Sequence, residues 1–147
     1  MEKKIKDNSL IAVIRISGQV KLKPDIKRSL YRLRLRRKYS CILINSSNKS
    51  LFGIVKKVKF NVAYGEIEKD TLVKLIKHRG KKLDKKSFDA EEVAEKLMKG
   101  EKLINLGFKP FFRLHPPRKG IKSKLSYPKG VLGYNGKDIN KLIERML

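Results

Sequence analysis

Arg113, Arg118, Lys119, Lys122 and Lys124 surround the dipeptide Pro116-Pro117, in a stretch that also holds His115 and Gly120. From Lys102 to Lys137 there are nine Lys or Arg and no carboxylate. Such side chains bind anions: Arg offers a planar fork that donates two parallel hydrogen bonds to a phosphate, and Lys adds a point charge with reach. A loop that cannot neutralise itself needs an anion from outside, and a polyphosphate backbone is the commonest of that size. A second basic set lies earlier. Between Asp25 and Glu66 stand 40 residues with eleven Lys or Arg and no Asp or Glu. Arg32, Arg34, Arg36, Arg37 and Lys38 end one predicted helix there, and Lys56, Lys57 and Lys59 end the next. Nine of the fourteen acids fall between Glu66 and Glu101. A solvated face of mixed sign would intersperse acids among the bases, as that middle segment does and the two flanking ones do not. Nucleic-acid contact is therefore expected through the acid-free segments, with the two helix ends and the late loop on one surface. Tyr127 and Tyr134 suit stacking on unpaired bases as well as a place at the edge of the core, and Gly120 would let backbone approach a phosphate.

Residues for catalysis are scarce. His78 falls at a predicted helix end and His115 ahead of two prolines, neither with a Cys or carboxylate at metal-ligand spacing, so no metal site is expected. Arg79-Gly80-Lys81-Lys82 lacks the earlier glycine and the Ser/Thr of a phosphate-binding loop. Glu91 and Glu92 stand at a helix start, where capping accounts for them. The single cysteine, Cys41, excludes an internal disulfide and reads as a small buried hydrophobe. No enzyme, cofactor or small-molecule substrate is expected.

The elements that must carry the basic residues can be read from periodicity. The chain has 147 residues, 40% of them hydrophobic, enough for one domain with an elaboration and a real core. Its formal net charge of +24 points to life against a polyanion. The longest apolar run in the first half, Leu10 to Ile14, is too short to span a bilayer, and Met1 to Lys6 leads into nothing like a signal peptide. The chain is thus expected to stay where it is made, in the cytoplasm. Leu10 to Ile16 is apolar on both faces and predicts a central strand that ends at Gly18. Pro24 and Asp25 open a helix with Ile26, Leu30 and Leu33 on one face. Ser40 to Ile44 predicts a second strand, and Ser46 or Ser47 a cap for the helix carrying Leu51, Ile54, Val55 and Val58. Gly53 within that helix suggests a close packing contact. Phe60, Val62 and Tyr64 alternate as a third strand closed by Gly65.

The middle segment reads as an inserted helical pair. Glu68 to Arg79 forms one helix, ending at Gly80. A charged loop from Lys81 to Ser87 follows, then a helix with Asp89 and Glu92 as its capping box and Gly100 as its end. Phe111, Phe112 and Leu114 predict a strand that stops near His115, because prolines lack the backbone donor. Gly133 to Gly136 reads as a turn, and a last helix from about Asp138 buries Ile139, Leu142, Ile143 and Met146. The architecture expected is α+β, a small antiparallel sheet with two helices on one face. Residues 1–67 form its core, and 68–147 the helical insertion and basic C-terminal extension packed on it.

Arg113 to Gly120, Leu132-Gly133-Tyr134 and the ending Lys137 to Leu147 closely resemble the archaeal form of the universal L-thirty family of large-subunit ribosomal proteins. Leu10 to Gly18, Leu33-Arg34-Leu35, Gly53 to Val58 and Tyr64 to Ile67 extend the resemblance over nearly the whole chain. It departs at Asn45-Ser46-Ser47-Asn48, where the family usually has an acid and Thr-Pro, and at Tyr64, where Trp is frequent. The resemblance implies a ferredoxin-like core and a structural role in the large subunit without catalytic residues. It also implies large-subunit rRNA as partner, 5S rRNA nearby, and neighbouring ribosomal proteins. A DNA-compacting protein and an RNA-processing enzyme are the competing classes, separable by whether the chain is present at one copy per large subunit.

Overall fold

The computed structural model describes residues 10–16, 22–45, 47–80, 88–100, 102–118, 120, 127 and 129–147. Gly18, Ser46, the 81–87 loop, Lys119, Lys122 and Lys124 lie outside them. A five-stranded sheet runs through the protein in the order β4-β2-β1-β3-β5. Its strands are β1 (Leu10–Arg15), β2 (Ser40–Asn45), β3 (Val62–Glu66), β4 (Phe112–Arg113) and β5 (Gly133–Tyr134). Every pairing is antiparallel except that of β5 with β3. The helices are α1 (Pro24–Arg32), α2 (Lys49–Lys57), α3 (Lys69–Arg79), α4 (Ala90–Met98) and α5 (Ile139–Met146). The fold is α+β and consistent with the ferredoxin-like expectation.

The doubly apolar pattern of β1 has a direct outcome: all six of its residues are buried. Ile11 and Val13 meet Leu30 and Leu33 from the α1 side and Val55 and Val58 from the α2 side. Leu10, Ala12 and Ile14 meet Leu72, Leu75 and Ile76 of α3, Val93, Ala94 and Leu97 of α4, and Ile139, Leu142, Ile143 and Met146 of α5. Side chains alternate across a strand, so a central strand with helices on both faces must be apolar throughout. The acid-bearing middle segment and the chain end thus supply the second helical layer.

Four local expectations need correction. Asn48, not Ser46 or Ser47, caps α2, its side chain accepting from the Leu51 amide at 3.3 Å. A Cβ on Gly53 would meet nothing within 4 Å, so no packing contact requires that glycine. Phe60 belongs to the turn that ends α2, because the ladder begins only at Val62, and β3 continues past Gly65 to Glu66. Gly133 and Tyr134 are a strand, not a turn: they pair with Ala63 and Tyr64 of β3. In α4, Asp89 does cap, accepting from the Glu91 amide at 3.0 Å, while Glu92 pairs with Lys96 at 3.5 Å.

Asn140 locks α5 to the end of β3. It is only 7% exposed, and its side chain accepts from the Glu68 amide at 2.8 Å while donating to the carbonyls of Glu66 at 3.1 Å and Lys137 at 2.8 Å. Truncation would remove three hydrogen bonds between part-buried groups, and a buried group left without its partner costs about 1–3 kcal/mol. Asn140→Ala is therefore expected to destabilise the fold by about 2–3 kcal/mol in a denaturant titration. A loss under about 0.5 kcal/mol would mean that water replaces the amide there.

Candidate nucleic-acid interface

The basic residues are placed by how β1 ends. Where Arg15 finishes the strand, its carbonyl accepts from the Tyr39 amide at 2.7 Å, just before β2 begins. The Ile16 amide donates to the Asn61 carbonyl at 3.0 Å, just before β3 begins. On the outer edge of β2, Arg113 pairs with Ser40, and the Leu114 amide donates to the Tyr39 carbonyl at 3.1 Å. The approaches to β2 and β3 and the exit from β4 therefore converge at one end of the sheet. Arg36, Arg37 and Lys38 ride on the first, Lys57 and Lys59 on the second, and Arg113, His115 and Arg118 on the third, all of them exposed. Lys56, also exposed, belongs to the same last turn of α2.

The late loop is held by the C-terminal helix. The His115 amide donates to the Met146 carbonyl at 2.9 Å and the Arg118 amide to the Arg145 carbonyl at 3.0 Å, which satisfies carbonyls left open at the end of α5. The Arg145 guanidinium returns a hydrogen bond to the Gly120 carbonyl at 3.0 Å. Pro117 is buried, so it shapes the loop and offers no surface, whereas Pro116 and Gly120 are exposed. The apolar stripe of α5 thus fixes where the basic loop stands.

Not every expected site residue joins this end. Arg32 and Arg34 line a cavity of about 540 Å³ beside Ile42–Asn45, farther along β2, together with Lys102 and Ile104. Tyr134 lies at the opposite edge of the sheet from Arg113. Its ring packs 5.7 Å from that of Tyr64, and its hydroxyl donates to Glu66 at 3.3 Å. Burial and then the Glu66 charge push that hydroxyl's pKa up. Tyr127 donates to Asp138, a bond that raises its own pKa. The expected single surface is therefore narrower than the full set of basic residues.

Electrostatics separates this end from the rest. Glu95 pairs with Lys69 at 3.1 Å, Glu144 with Lys74 at 3.2 Å and Asp25 with Arg28 at 3.8 Å. Those carboxylates, on α4, α5 and the first turn of α1, neutralise cations of α3 and α1, while the converging segments come from the acid-free stretches. Beneath the site Arg15 is wholly buried, donating to the Leu35 carbonyl at 2.7 Å, and desolvation lowers its pKa. Cys41 is also buried, and desolvation pushes its thiol up to about 12, far from the range of a reactive thiolate.

Two features escaped the sequence. Arg34 and Tyr39 both adopt the left-handed conformation, at φ 63° and 66°. Arg34 occupies the place after α1 where glycine is commonest, with the Leu35 amide reaching back to the Leu30 carbonyl at 2.9 Å. Aromatic rings also accompany the cations: Lys38 lies 5.1 Å from the Tyr39 ring centroid, Lys59 5.3 Å from that of Phe60, and Arg113 5.6 Å from that of Phe111. Adjacent Lys-Tyr and Lys-Phe pairs were the available signal.

Residues 11–62 match the family described as ribosomal protein L30p/L7e. The chain is 39% identical to the large ribosomal subunit protein uL30 of Hyperthermus butylicus, over 97% of this chain and 92% of that one. It is 42% identical to the uL30 of Desulfurococcus amylolyticus, over 94% and 98%, and 41% identical to that of Methanococcus maripaludis, over 92% and 98%. Sharing this much identity over nearly its whole length, the chain belongs to the L30p/L7e family, that of the large ribosomal subunit protein uL30.

Proposed function

We propose that the protein is a structural constituent of the large ribosomal subunit of the cytoplasmic ribosome and holds large-subunit rRNA against the basic end of its sheet. It is not an enzyme, the family being a structural one. The observation that carries the RNA-binding part is the convergence of three acid-free, cationic segments where β1 ends. Neutralising phosphates there releases counterions, and this supplies affinity without base recognition. In this reading residues 1–67 provide the principal contacts, while the extension contributes the proline-set loop and the helix that fixes it. Neighbouring ribosomal proteins are further partners, and 5S rRNA is one that rests on the family resemblance. Among the described residues no helix is long and apolar enough to cross a membrane.

Sucrose-gradient sedimentation of a lysate, with the chain followed at increasing salt, tests the reading. The expected result is one copy per large subunit, retained at moderate salt, and reduced incorporation of the Arg118→Ala, Lys119→Ala double variant without unfolding. Recovery of the chain with DNA or at the top of the gradient would overturn it.

A further inference from the structure

Phe60 is the most exposed of the large apolar side chains described, at 63%. Singly exposed apolar residues are common and by themselves need no function. Phe60 differs in how firmly it is presented and in what surrounds it. It sits at the tip of the turn between α2 and β3, whose neighbours Val58 and Val62 are fully buried. The Asn61 amide donates to the Val58 carbonyl at 2.8 Å, and the Asn61 carbonyl accepts from Ile16 at 3.0 Å, so the turn is tied to the central strand. Lys59 lies 5.3 Å from the ring centroid, and exposed Lys56 and Lys57 precede it on α2. A solvent-facing ring on a tied turn, beside lysines that pair with no carboxylate among the described residues, suits one ligand well: an unpaired nucleobase stacked on the ring, its phosphates on the lysines. An apolar protein partner would leave those ammonium groups facing it without anions, and so fits the surface less well.

We propose that Phe60 is a base-stacking residue that clamps one unpaired nucleotide of large-subunit rRNA beside Lys59. This rests on the rRNA-binding reading and adds to it a contact that phosphate neutralisation does not supply. The two contributions differ in salt dependence: loss of a lysine lowers the slope of log K against log salt, whereas loss of a stacking ring lowers affinity and leaves the slope in place.

The chain contains no tryptophan, so Phe60→Trp installs the one indole at the point of interest, excited selectively beyond the absorption of the five tyrosines. Titrating that full-length variant with large-subunit rRNA is expected to quench the indole emission and protect it from acrylamide. Phe60→Ala is expected to weaken binding about 10- to 100-fold, with the salt slope and the unfolding midpoint unchanged. Phe60→Leu keeps an apolar group without a π-face and should resemble the alanine variant. Three results would overturn the stacking contact while leaving the rRNA-binding reading in place. They are full affinity in Phe60→Leu, no change in the indole emission on saturation, or unchanged rRNA affinity in Phe60→Ala with weaker retention in subunits. The last would assign the ring to a neighbouring protein. Failure of the unmodified chain to bind this rRNA would overturn the underlying reading itself.

Discussion

Gly65→Ala is expected to destabilise the protein by about 3 kcal/mol or more, a large part of the roughly 5–15 kcal/mol that holds a domain of this size together. A Cβ at residue 65 would stand 2.2 Å from the Gly136 carbonyl oxygen and 3.0 Å from the Ile139 side chain. The first obstacle is backbone, at the start of the segment that places α5, and cannot rotate away. Relief would require moving Gly136 off β3, with the Asn135 amide, which donates to the Tyr64 carbonyl at 2.7 Å, and the Asn140 lock alongside it. Because α5 also anchors His115 and Arg118, the damage should reach the basic loop. Gly53→Ala is the internal control, since a methyl group there meets nothing within 4 Å. In a helix it should stabilise by about 0.5–1 kcal/mol. Denaturant titration of the two variants should move the midpoint in opposite directions. Equal, small shifts would mean that Gly136 does not press on β3.

The second large effect concerns binding. Substituting Lys57, Lys59, Arg113 and Arg118 by Gln is expected to lower the slope of log K against log salt by about 3–4 for large-subunit rRNA. Across a change from about 50 to 200 mM salt, that removes about a hundredfold of salt sensitivity. The comparison variant replaces Lys69, Lys74, Lys77 and Lys96 by Gln and has the same net charge. Those lysines lie on α3 and α4, and three of them pair with Glu95, Glu144 and Glu92. Its slope should fall by less than about 1, since a cation that does not touch phosphate releases no counterion. Equal slopes in the two variants would mean that total charge, not the converging segments, governs affinity.

The main elements were legible because their patterns were unambiguous. In β1 every position is apolar up to Arg15, and only a strand covered on both faces uses such a run. Ile139, Leu142, Ile143 and Met146 fall on one side of a helix, and all four are buried. β5 was not legible: two residues, one a glycine at φ 89°, cannot show an alternation, and its pairing partner lies 70 residues away in sequence. Phe60 looked like the start of β3 because it shares a parity with Val62 and Tyr64, yet the turn closing α2 consumes it. The charge clusters were visible, but their grouping was not. The end of β1 brings residues 36–39, 57–61 and 113–118 together, while Arg32 and Arg34, only a few residues earlier, border a cavity farther along β2. Tertiary placement of three strand ends decides that, and no local pattern encodes it.

The most direct test is ultraviolet crosslinking of protein to rRNA within purified large subunits, with modified peptides located by mass spectrometry. Nucleotide adducts are expected on peptides spanning 36–39, 57–61 and 113–118, and few on α3 and α4. Adducts concentrated on α3 and α4, with the three converging segments unmodified, would contradict it.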